Sequence, residues 1–111
     1  PATQAMLAVF TEHWRTLMFD KLFSIIEDRK RERPAGSYTN QIIEGGEDLI
    51  LRKIGEESLE VLFASKSEGD QRLVEEAADL IYHLFVLLAY KEIPLEAIKA
   101  ELKERHQRSH D

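Results

Sequence analysis

The sequence contains no cysteine, so a disulfide framework and a thiolate metal site are both excluded. Any metal must be held by oxygen or imidazole, which favours hard cations: Mg²⁺ first, Mn²⁺ as the alternative. Positive charge is also scarce, since 15 Lys and Arg stand against 21 Asp and Glu for a net charge of −6. That balance argues against general nucleic-acid binding, which wants a basic face. It leaves a phosphate-bearing small molecule open, because a bound cation reverses the local sign. Long apolar runs are missing too. The longest, Ala77 to Tyr90, is interrupted by Asp79 and His83 and is too short to span a bilayer. The opening residues carry Glu12, His13 and Arg15 with no uncharged signal-type stretch. The expectation is a cytoplasmic protein with neither membrane nor nucleic acid as partner. No strand pattern, internal repeat or low-complexity linker stands out.

What is present is helical periodicity. The 111 residues suit one domain, and a core of that size gains from oligomerisation. With 43% hydrophobic and 32% charged residues the composition is that of a globular protein. A first helix runs from about Thr3 to Arg33, with Leu7, Phe10, Trp14, Leu17, Met18, Leu22, Ile25 and Ile26 as its apolar stripe and Asp20 as a candidate break. Pro34-Ala35-Gly36 stops it. A short helix capped by Ser37 or Thr39 carries Ile42 and Ile43 and ends at Gly45-Gly46. A third runs from about Glu47 to Lys66, with Ile50, Ile54, Val61 and Leu62 as its core face. Gly69 closes the next turn, and Asp70 is the candidate N-cap of a fourth helix reaching Lys91. Pro94 opens a last helix with Leu95, Ile98 and Leu102 on one face. The division expected is a helical extension over 1–20, a main helical domain over 21–106 and a polar tail over 107–111. The fold class is all-α, a bundle of four to five helices.

The chemistry concentrates on two helices. On the third, Lys53, Glu56, Glu57 and Glu60 form a stripe at i, i+3, i+4 and i+7, and acids so close repel one another. The plain alternative is that they pair with Arg52 and Lys53. On the fourth, the run from Ala77 to Tyr90 is apolar almost all round, so an ionised Asp79 there has to be paired, coordinated or protonated. Arg72, Glu76, Asp79 and His83 lie in one line. Glu76-x-x-Asp79 matches Glu57-x-x-Glu60 in spacing, and two antiparallel helices facing each other would gather four carboxylates, a donor set suited to Mg²⁺. His83 is read either as a hydrogen-bonded core residue or, in its functional version, as a support for Asp79 one turn away. A di-iron bundle would want Glu-x-x-His pairs, and the fourth helix has none.

Glu56-Glu57-Ser58-Leu59-Glu60 followed by Glu76-Ala77-Ala78-Asp79 resembles the E-E-x-x-E … E-x-x-D signature of the all-α nucleoside triphosphate pyrophosphohydrolases, the MazG-like superfamily. Within it, IIEDRK (Ile25–Lys30), RPAGSYT (Arg33–Thr39), KIGEESLEV (Lys53–Val61) and RLVEEAADLIYHLFVLL (Arg72–Leu88) are most similar to the phosphoribosyl-ATP pyrophosphohydrolase family. The likeness covers about Leu22 to His106. It implies hydrolysis of phosphoribosyl-ATP to phosphoribosyl-AMP and pyrophosphate in histidine biosynthesis. It also implies a bundle completed by homodimerisation. Metal ligands would be Glu57, Glu60, Glu76 and Asp79, with Glu56 a further ligand or the group orienting the attacking water. Lys53 would neutralise phosphate. Arg29, Lys30, Arg33, Ser37 and Thr39 would receive the remaining anionic parts of the substrate, the hydroxyls lying at a helix N-terminus. Residues 1–20 precede the likeness and are expected to form an extra helix packed on the core. The rival readings are a housecleaning pyrophosphohydrolase acting on (d)NTPs and a non-catalytic helical interaction module.

Overall fold

A computed structural model describes the backbone of residues 2–109 and the side chains of residues 17–108. Among the described residues five α-helices follow one another: α1 (Ala2–Glu32), α2 (Tyr38–Gly45), α3 (Glu47–Phe63), α4 (Asp70–Tyr90) and α5 (Leu95–Ser109), with a π-helical turn at Ala64–Glu68 between α3 and α4. No strand occurs among the described residues. The all-α expectation is met.

The helix ends follow the local chemistry. Arg33 leaves α1 in the left-handed region at φ 52°, its N–H still bonded to the Arg29 carbonyl at 2.9 Å, and Pro34 then bars continuation. Ser37 caps α2, its side chain accepting the Asn40 N–H at 3.2 Å. Gly46 at φ 89° and Gly69 at φ 90° turn the chain into α3 and α4 with almost no linker, a conformation that disfavours any side chain. Asp70 is therefore the first residue of α4 rather than its cap. The Gly69 carbonyl starts the helix by accepting from Leu73 N. α1 passes Asp20 unbroken, and α5 carries the polar segment from 107 onward as far as Ser109. The N-terminal stripe of Leu7, Phe10 and Trp14 lies outside the described side chains.

One core takes a residue or two from every helix: Phe23 and Ile26, Ile42 and Ile43, Ile50, Val86 and Ala89, and Leu95. α3 packs along α4, and Phe85 of α4 meets Phe23 and Phe19 of α1 at ring separations of 5.6 and 5.9 Å. The expected core face of α3 holds only in its first half. Ile50 is fully buried, but Leu62 and its neighbour Phe63 are more than 60% exposed. α4, apolar almost all round, is likewise not enclosed in the single chain. Its buried line is Glu76, His83, Val86 and Ala89, while Val74, Asp79 and Leu84 face outward.

Candidate functional site

α3 and α4 bring Glu57, Glu76 and Asp79 together, with one carboxylate oxygen from each lying within 4.8 Å of the others. Glu76 is buried, Glu57 half-buried and Asp79 exposed, so the group sits at the rim of the bundle rather than inside it. This revises the enclosed Asp79 expected from the apolar helix: among the described residues that side of α4 is left open. Burial pushes the Glu57 carboxyl above the ordinary carboxylate range, and the charge of Asp79 adds to the push. Burial also raises Glu76, against the pull of Arg72 beside it. The Glu57 and Glu76 carboxyls lie within hydrogen-bonding reach of each other. Even so, Oε2 of Glu57 is buried and has no partner among the described residues. A buried, unpaired oxygen beside two further carboxylates is costly unless a cation completes it. An all-oxygen donor set of this kind fits Mg²⁺ or Mn²⁺.

The other expected residues divide. Glu60 is exposed and outside the three-carboxylate group, although its charge still acts on Glu57. The physical reason is rotation: three residues fall roughly 60° short of a full helical turn, so Glu60 turns outward when Glu57 faces α4. Glu56 is half exposed and pairs with Arg52 at 3.7 Å and Lys53 at 3.9 Å, the plain ion-pair alternative. Lys53 thus answers Glu56. Arg72 grips Glu76 at 2.5 Å and Glu75 at 2.7 Å. His83 is buried and bonds the backbone carbonyl of Asp79 through Nδ1 at 2.7 Å, not its carboxylate.

The basic and hydroxyl residues also take separate places. Lys30 bonds the Ala89 carbonyl at 2.9 Å and lies 3.6 Å from Glu92, closing the C-terminal end of α4 rather than offering itself to a ligand. Thr39 is buried, and its hydroxyl is joined to that of Tyr82. Ser37 is engaged as a cap. Arg29 is exposed, makes no ion pair with a described residue, and acts by its charge on the Tyr82 phenol. Arg33 is exposed, with its Nε donating to the Lys30 carbonyl at 2.6 Å and the rest of its guanidinium outward.

One residue was not singled out by its sequence position. Tyr38, the first residue of α2, places its hydroxyl 3.0 Å from His83 Nε2. Burial raises the Tyr38 phenol, Tyr82 raises it further, and the charges of Glu57, Asp79 and Glu56 reach it as well. The available signal was an aromatic residue set between Ser37 and Thr39, with a lone histidine on the facing apolar helix.

The comparisons with known proteins agree with one another. Residues 19–106 match the family described as phosphoribosyl-ATP pyrophosphohydrolase. A protein of Clostridium botulinum (strain Hall) named phosphoribosyl-ATP pyrophosphatase is 48% identical over 94 residues, covering 85% of this chain and 86% of that protein. The protein of the same name from Clostridium acetobutylicum is 48% identical over 91 residues, covering 82% and 83%. That of Bacillus cereus (strain AH820) is 53% identical over 88 residues, covering 79% and 82%.

Proposed function

Because the chain belongs to the phosphoribosyl-ATP pyrophosphohydrolase family, we propose that it hydrolyses phosphoribosyl-ATP to phosphoribosyl-AMP and pyrophosphate, a step of histidine biosynthesis in the cytoplasm, with Mg²⁺ or Mn²⁺ held by Glu57, Glu76 and Asp79. The observation that carries the metal is the buried, unpartnered Oε2 of Glu57 inside a three-carboxylate cluster. The products require the anhydride between the α- and β-phosphates to break, the oxygen of water ending on one of those two phosphorus atoms. When bound, a divalent cation supplies neutralisation of the polyphosphate charge and a fixed point for its orientation. The protein's own work is mostly positioning, as is usual for phosphoryl chemistry. Arg72 favours the charged form of the buried Glu76 against its burial and holds it in place, and Glu60 adds negative charge beside the ligands. Glu56, exposed on the same stripe, is the candidate for a further ligand or for orienting the attacking water. Arg29 and Arg33 are the cations left to meet the substrate's other anionic groups. Pyrophosphate should appear from phosphoribosyl-ATP in the presence of Mg²⁺, stop when EDTA is added, and resume with excess Mn²⁺. Turnover unaffected by the chelator would overturn the metal role.

The same reading includes a second copy of the chain. Leu59, Leu62, Phe63 and Val74 are each more than half exposed around the far ends of α3 and α4, a concentration of apolar surface that single chains rarely leave in water. A homodimer would cover it and enclose Asp79. Leu84 is open to such a contact, whereas Phe85 and Leu88 already pack against the chain's own core. Sedimentation equilibrium at micromolar concentration should give twice the chain mass of 12.9 kDa, and Leu62→Ser with Phe63→Ser should shift it towards one. A folded, unmodified protein sedimenting as a monomer would contradict the dimer.

A further inference from the structure

The hydrogen bonds beside the carboxylates have a direction. The Asp79 carbonyl can only accept, so Nδ1 of His83, 2.7 Å away, must carry the proton of that bond. In the neutral ring this leaves Nε2 as an acceptor. The Tyr38 hydroxyl, 3.0 Å from Nε2, then donates to it. Its proton being committed, the Tyr38 oxygen keeps its lone pairs for something else. The ring is well fixed: it stacks on Tyr82 with centroids 6.1 Å apart and meets the edge of His83 at 5.9 Å, and Tyr82 is in turn tied to Thr39. His83 is 3% exposed while Tyr38 is 48% exposed, so the chain of bonds that starts at the Asp79 backbone runs from the core to the surface. The charges of Glu57, Asp79 and Glu56 all reach the phenol. A phenol oxygen of fixed orientation that offers only an acceptor, within reach of the charge of carboxylates that also only accept when ionised, suits a hydrogen-bond donor. Water is the donor that the hydrolysis requires at this place.

We propose that Tyr38 is a positioning residue for the attacking water, its oxygen accepting a hydrogen bond from that water because the proton direction is set by the chain Asp79 carbonyl, His83, Tyr38. The inference rests on the reading of the site as a phosphoanhydride hydrolase. Tyr38 keeps its own proton, donated as a hydrogen bond to His83 Nε2 throughout, so it orients the water and takes no proton from it. Neither the family match nor the carboxylate motif assigns it this role.

Two measurements test it. The first uses the protein alone: ¹⁵N-labelled imidazole spectra, with the His83 signal among the four histidines identified by its loss in His83→Asn. The neutral His83 ring should be the Nδ1–H tautomer, with and without Mg²⁺. A ring protonated at Nε2, or at both nitrogens, overturns the stated direction. The second uses Tyr38→Phe, which keeps the ring and its stacking. Its kcat should fall by roughly ten-fold, the equivalent of one hydrogen bond, with KM within about two-fold as for an interaction gained at the transition state. The pH profile and the rise in Tm caused by Mg²⁺ should not move. An unchanged kcat, a raised KM in place of a lowered kcat, or a lost Mg²⁺ effect each overturns the proposal. An unmodified protein inert towards phosphoribosyl-ATP would instead overturn the reaction, a failure told apart because the imidazole spectra and the Mg²⁺ melting are read without substrate.

Discussion

Glu57→Gln should reduce pyrophosphate release from phosphoribosyl-ATP by roughly 10³-fold or more, the rate equivalent of several kcal/mol of lost charge stabilisation, while the metal-free protein becomes harder to melt. The two effects have one cause. In the absence of a cation, Glu57 faces Glu76 and Asp79 with one oxygen buried and unpaired, and burial and repulsion together raise its carboxyl above the ordinary range. The amide has the same shape, carries no charge, and can donate to either neighbouring carboxylate. In EDTA the variant's Tm should rise by about 4 °C, the shift that about 1 kcal/mol produces in a domain near this size. The sign with pH follows from the raised carboxyl. The folded protein holds the Glu57 proton more tightly than the unfolded chain, so the associated stability is present below the unfolded value of about 4.3 and is lost as pH rises through the higher folded value. The gap in Tm between variant and unmodified protein should therefore be small near that lower value and widen towards neutral pH. Adding Mg²⁺ should reverse the order, stabilising the unmodified protein by mass action, about 2.7 kcal/mol at one hundred times the dissociation constant, and leaving the variant unmoved. Differential scanning calorimetry over a pH series, with EDTA and with Mg²⁺, checks all three arms. A variant that kept its turnover and its Mg²⁺ response would remove Glu57 from the metal site.

Much of this site could be read from the chain because the punctuation and the acids are local signals. Pro34, Gly46, Gly69 and Pro94 bound the helices with little ambiguity, and the i, i+3 acid pairs place carboxylates on helix faces without knowledge of tertiary contacts. Helical periodicity gives angle around an axis but not which angle meets a neighbour. That is why Glu60 looked equivalent to Glu57 and is not: the crossing of α3 over α4 selects one of the two. The π-helical turn at Ala64–Glu68 lies outside simple periodicity as well. Ala64 is buried at its start, while Leu62, expected on the core stripe just before it, is exposed. Hydroxyls and cations are harder still, since their roles depend on which acceptor lies nearby. Ser37 went to a helix cap, Thr39 to Tyr82 and Lys30 to the end of α4, so three of the residues expected to meet substrate anions are engaged within the fold. Tyr38 became legible only with His83 beside it.

Those engagements sharpen the expected substrate preference. The carboxylate cluster can bind a metal–polyphosphate group of any nucleotide, so it cannot by itself separate a dNTP from phosphoribosyl-ATP. The second substrate differs by a phosphorylated ribose on the adenine ring, and its discrimination requires a cation away from the metal. With Lys30 occupied, Lys53 turned to Glu56 and Arg31 paired with Asp28 and Glu32, Arg29 and Arg33 are the exposed basic residues of that segment without an ion pair to a described residue. A guanidinium meets a phosphate with paired donors, and a charge-assisted contact contributes about 1.5–3 kcal/mol. Two such contacts bracket a preference of roughly 10²- to 10⁴-fold in kcat/KM for phosphoribosyl-ATP over any dNTP. Arg29→Ala with Arg33→Ala should remove most of it, raising KM for phosphoribosyl-ATP by about 100-fold while changing any dNTP hydrolysis by less than about 3-fold, since dNTPs lack the group those residues meet. A loss shared equally by both substrate classes would assign the two arginines to the fold or to the polyphosphate instead. Efficient dNTP hydrolysis by the unmodified protein, with phosphoribosyl-ATP left intact, would keep the metal site and replace the substrate by the housecleaning alternative.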